Sequence, residues 1–149
     1  MAEQSTQDDP ISKLAELLDK KKLFGISPRL LIEELDIRTA IVQQQLGVTR
    51  GEARARTLIN MEEYLTKEED MVGWSPTMSA YREHIQMEMG LLNGLDFVEA
   101  AIQAARTEAI RLHRLQQVTG RNNNMETVRY SLVTRAELLQ ASLATPQNP

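Results

Sequence analysis

Apolar residues recur along this chain at helical spacing, and polar punctuation cuts the pattern into six segments. The spacing predicts helices near 10–22, 28–46, 50–70, 76–91 and 96–118, then a shorter segment from about 125 to 143. Asp9-Pro10, Ser27-Pro28 and Ser75-Pro76 each read as an N-cap followed by proline at the first helical position, where the missing N–H costs nothing. Thr49-Arg50-Gly51-Glu52 and Asp96-Phe97-Val98-Glu99 read as capping boxes, and Asn123 or Asn124 suits a cap for the last segment. Lys20-Lys21-Lys22 lies where cations favour a helix C-terminus, and Gly25, Gly47, Gly73 and Gly120 follow periodic stretches as stops. A break near Asp36 would divide the second helix into two short ones.

Two stretches admit two readings each. Asn93-Gly94 before the Asp96 box predicts a turn and a helical hairpin. Leu91, Leu95, Val98, Ile102, Ala105, Ala109 and Leu112 instead alternate by four and three, the spacing of a coiled-coil seam on one long helix. Either way the alanine-rich seam lets a second helix approach closely, as core or as a subunit interface; we assign these seven residues to an oligomer interface. In residues 127–134, Val128, Tyr130 and Leu132 alternate with polar residues as in a strand, which would need a neighbouring chain to pair with. The other reading is the start of a helix running to Leu143.

The expected organisation is all-α. A disordered arm (1–9) precedes a helical region with a helix-turn-helix-like corner (10–72). A helical hairpin or long helix for oligomerisation (73–120) and a C-terminal segment and tail (121–149) follow. A chain of 149 residues suits one domain, or a compact domain plus an arm, and can bury roughly two-thirds of its unfolded surface. With no cysteine, disulfides, thiolate nucleophiles and Cys-ligated metal sites are excluded. Apolar runs reach only about three residues, as at Leu30–Ile32, so no membrane span is expected. The first residues have no basic and apolar regions of a secretory signal, which predicts a cytoplasmic protein.

The net charge of −4 hides a segregated pattern. Residues 1–37 carry −3, residues 38–60 carry +3, residues 61–100 carry −7 and residues 101–149 carry +3. Every basic residue in the two positive blocks is arginine, which suits bidentate contact with phosphate or carboxylate. The positive blocks can meet phosphates, pair with acidic blocks of neighbouring subunits, or form a solvated face.

No catalytic constellation stands out, so we expect no enzyme, no cofactor and no metal. Neither G-x-x-x-x-G-K nor G-x-G-x-x-G occurs. His84 and Glu88 at i,i+4 make half a metal site. His113, between Arg111 and Arg114, is better placed for a phosphate than for a cation. Glu62-Glu63 and Glu68-Glu69-Asp70 read as a solvated face or a partner contact. Met78, Met87 and Met89 read as core filler.

The segment Val42-Gln43-Gln44-Gln45-Leu46-Gly47-Val48-Thr49-Arg50-Gly51-Glu52-Ala53-Arg54-Ala55-Arg56 resembles a helix-turn-helix. In that family a first helix ends in Leu-Gly-Val-Thr/Ser: glycine takes the turn, valine plugs the core, and the hydroxyl caps a recognition helix. Leu46 to Thr49 match this turn. Gln43, Ala53 and Arg56 depart from the family's preferred residues. The resemblance makes Thr49, Arg50, Arg54 and Arg56 candidate DNA contacts.

In overall plan the chain resembles phage small terminase subunits, whose helix-turn-helix units sit on a ring built from a helical hairpin and whose C-terminal strand can join a small barrel. That resemblance implies a homo-oligomer on duplex DNA, recognition of a viral packaging site, and regulation of a larger ATPase motor. The alternative is a structural or adaptor protein, such as a virion component or assembly factor, working through helix–helix contacts without DNA. A transcriptional regulator using the same motif is a third reading.

Overall fold

The computed structural model describes residues 9–24 and 28–144, and every regular element among them is helical. The order is α1 (Pro10–Phe24), α2 (Pro28–Leu46), α3 (Arg50–Val72), α4 (Pro76–Leu92), α5 (Phe97–Thr119) and α6 (Asn123–Ala144). The strand reading of 127–134 is therefore overturned: Val128 and Leu132 face the α5 side of a helix, while Tyr130 points outward, 71% exposed. The break near Asp36 is absent, since α2 runs unbroken to Leu46. The Ser27 cap, the Gly25 stop and the first eight residues of the expected arm lie outside the described residues.

The caps show why the boundaries fall where they do. Ser75 Oγ accepts the Met78 N–H at 3.3 Å, with Pro76 opening α4. Asp96 Oδ1 accepts the Glu99 N–H at 2.8 Å and starts α5. The last cap is Asn122, one residue before the expected position, whose Oδ1 accepts the Met125 N–H at 3.1 Å. Between α4 and α5 the Leu95 N–H closes back on the Gly90 carbonyl at 3.0 Å, so the chain turns. This settles the hairpin against the single rod.

Two compact units share the chain, dividing between Tyr64 and Leu65 inside α3 rather than at 72/73. In the first, Leu17, Leu31, Leu35, Leu58 and Met61 are buried, and Ala53 and Thr39 are fully covered. The buried Glu34 carboxylate accepts from Lys21 Nζ of α1 at 2.7 Å and Arg38 Nε of α2 at 2.8 Å, so its charge is compensated.

In the second unit α5 is buried on two sides. Ile102, Ala105, Ala109 and Leu112 pack with Met125, Leu132 and Ala136 of α6, with Val98 partly buried beside them. Ala100 and Glu108 turn toward α4: a Cβ on Gly90 would lie 3.2 Å from the Ala100 Cβ, so only glycine gives that approach without a shift. The residues expected as an oligomer seam fall in different places. Ile102, Ala105, Ala109 and Leu112 are covered by this chain's own α6, while Leu91 is 39% exposed at the end of α4 and Leu95 sits in the turn.

Leu112→Ala is expected to lower unfolding free energy by about 2–5 kcal/mol in urea titrations, through lost burial plus the cavity left behind. Ile110→Ala, on the exposed face of the same helix, is expected to stay within about 0.5 kcal/mol.

Candidate nucleic-acid interface

The corner between α2 and α3 is built from four residues with separate tasks. Gly47 has φ +65°, a left-handed conformation that favours glycine, and its N–H bonds the Gln43 carbonyl at 2.9 Å to end α2. Val48 is half-buried. Thr49 Oγ1 accepts the Glu52 N–H at 3.2 Å and its carbonyl accepts the Ala53 N–H at 2.9 Å, which starts α3. Ala53 is fully buried one turn on.

The four candidate DNA contacts do not share one environment. Thr49 spends its hydroxyl on the cap. Arg50 is 58% exposed and only loosely paired, its Nη2 lying 3.9 Å from Asp36 Oδ1. Arg56 is exposed and makes no ion pair among the described residues. Arg54 is turned inward, 13% exposed: its Nη1 donates to Asp36 Oδ1 and to Thr39 Oγ1, both at 3.0 Å. Thr39 in turn donates to the Leu35 carbonyl at 2.6 Å. Arg54 therefore ties α3 to α2 and holds the corner angle. Asp36 and Thr39, its partners, carried no signal in the sequence beyond lying one helical turn apart. Glu52 is the acidic side chain in the first turn of α3.

Three of the six arginines of the second positive block, Arg111, Arg129 and Arg135, are bonded to carboxylates. Arg111 Nε and Nη2 each donate to Glu108 at 2.9 Å, and Nη1 and Nη2 donate to Glu69 at 3.0 and 3.1 Å. Burial disfavours the Arg111 charge, but the hydrogen bonds and charges of Glu108 and Glu69 outweigh it and push its pKa up. Glu108, 2% exposed, also accepts from Ser79 Oγ at 2.7 Å, and Ser79 accepts from Trp74 Nε1 at 2.8 Å. One buried network thus joins the end of α3, the Trp74 loop, α4 and α5. Its sequence signal was a carboxylate, Glu108, continuing the spacing of Ala100 and Ala104.

Arg135 pairs with Glu83 of α4, and Arg129 bonds Glu126, holding the Glu126 carboxyl below the usual carboxylate range. His113 lies beside Gln117, while Arg111 is bonded to Glu69 and Glu108. His84 Nε2 meets Glu88 Oε2 at 2.5 Å, and among the described residues no group of three or more side chains could hold a metal. No described helix is long and apolar enough to cross a membrane.

No known family model, curated protein or solved structure matches the chain. The residues themselves therefore carry the functional argument.

Two stability predictions separate holding roles from contact roles. Arg54→Ala is expected to cost roughly 1–3 kcal/mol in denaturant titrations, the worth of charged hydrogen bonds, whereas Arg50→Ala stays under about 1 kcal/mol. Glu108→Ala leaves Ser79 without its buried acceptor and Arg111 with Glu69 alone; it is expected to cost about 1–3 kcal/mol and to shift the fluorescence of Trp74, the single tryptophan.

Proposed function

We propose that this chain is a non-enzymatic assembly protein that contacts duplex DNA through the α2–α3 corner. The observation that carries this reading is the turn itself. A left-handed Gly47 and the Thr49 cap deliver the first turns of α3 with Arg50 and Arg56 exposed and Arg54 bracing from behind. A helix N-terminus with cationic side chains suits phosphate, and the side chains beyond its first turn suit groove edges. The resemblance in plan to phage small terminase subunits points the same way and implies a packaging site and a larger motor as partners. One feature of that plan is missing, because the segment expected as a barrel strand is helical. Self-association, which that plan also implies, would have to use surfaces other than the buried part of the α5 seam.

The second reading is an adaptor working through helix–helix contacts. It is favoured by an apolar furrow beside the corner, where Leu46 and Ile59 are 54% and 47% exposed.

Fluorescence anisotropy with labelled duplex DNA at low salt tests the first reading. Wild-type chain is expected to bind with affinity that falls as salt rises, and the Arg50→Ala/Arg56→Ala variant to lose about tenfold or more with a shallower salt slope. Glu52→Gln is expected to bind severalfold tighter, by removing a like charge from the approach of phosphate. No binding at low salt across varied duplex sequences, or unchanged binding in the double-arginine variant, overturns the reading.

A further inference from the structure

The furrow beside the corner lies within the first compact unit, between the second half of α2 and the middle of α3, with Leu14 of α1 lining one part of it. It consists of two adjoining hollows, of about 210 Å³ and 350 Å³, that share Val42 and Asn60 as lining residues. Ile41, Val42 and the buried Met61 lie along its floor, with Leu46, Ile59 and Tyr64 as partly exposed apolar side chains around it. The α2 lining runs from Arg38 to Leu46, nine residues or roughly 12 Å of helix. That length matches two turns of a second helix laid in the furrow.

Charge selects among possible occupants. Among the described residues no acidic side chain lines either hollow, whereas α2 contributes Arg38 and α3 contributes Arg56. Arg38 gives its Nε to Glu34, and Arg56 makes no ion pair among the described residues. Gln45 and Asn60 add amides that donate as well as accept. A basic helix would set like charges against both arginines, and an uncharged one would leave Arg56 without a partner.

We propose that this furrow docks an amphipathic helix of a partner protein, with large apolar side chains at i, i+3 or i+4, and i+7, flanked by Asp or Glu. The apolar stripe fills the hollows over Val42 and Met61, and the flanking carboxylates meet Arg56 and the outer edge of Arg38. The proposal deepens the adaptor reading. It is independent of Arg50, so DNA contact and helix docking can fail separately.

The test uses the full chain against a displayed library of helical peptides about 18 residues long, a length at which isolated helices form. Enriched peptides are then measured by anisotropy. The expected winners carry an apolar stripe at i, i+3/i+4, i+7 with acidic flanks. Their affinity falls tenfold or more for Ile59→Asp and severalfold for Arg56→Ala, and is unchanged for Arg50→Ala. Circular dichroism checks that Ile59→Asp is folded; if it is not, Tyr64→Ala, at a 54% exposed position, replaces it with a severalfold loss expected. No enriched peptide, enrichment of basic or stripe-less peptides, or equal binding to the folded furrow variant overturns the proposal. So does concentration-dependent dimerisation in sedimentation that the same variant abolishes, because a second copy then covers the furrow. Loss of DNA binding in Arg50→Ala with peptide binding intact separates the two functions.

Discussion

The second unit is organised around a carboxylate taken out of water. Glu108 sits in the interior of a helical packing, and such a charge persists only when it is paired and hydrogen-bonded. Arg111 supplies the opposite charge and Ser79 a hydroxyl, while Glu69 takes the remaining donors of the guanidinium and Trp74 donates to Ser79. A buried pair of this kind contributes little net stability against a well-packed apolar substitute, yet breaking it is costly. Its consequence is geometric: the end of α3, the loop that follows, α4 and α5 must all be in register for Glu108 to be satisfied. Glu34 plays a smaller version of this part in the first unit, drawing Lys21 of α1 and Arg38 of α2 together.

Small side chains do the rest. α5 carries alanine at Ala100, Ala104, Ala105 and Ala109, all buried, so neighbouring helices come close on two sides. Gly90 meets Ala100 where a methyl would be too tight, and α6 closes the other side with Met125, Leu132 and Ala136. That side of α5 is thereby covered within one chain.

The helix boundaries were legible because they are local chemistry. Ser75, Thr49 and Asp96 cap where hydroxyl and carboxylate caps should, and Gly47 turns where only glycine is comfortable. The strand reading of 127–134 failed because the alternation of Val128, Tyr130 and Leu132 weighs less than an apolar face at Met125, Leu132, Ala136 and Leu139 packed on α5. The seam was found but its partner was not, since a/d spacing names a face and not the helix that covers it. The direction of each arginine was the least legible feature. Arg50, Arg54 and Arg56 look alike in sequence, and only the α2 side chains Asp36 and Thr39 decide that Arg54 points inward.

In the function proposed above, the α2–α3 corner is the working end of the molecule. Hydrogen exchange of the full chain, with and without duplex DNA at low salt, tests that claim most directly. The account predicts slowed exchange centred on Gly47 to Thr57, with α5 and α6 unchanged. Slowed exchange confined to α5 and α6, or no change at the corner under saturating DNA, would contradict it.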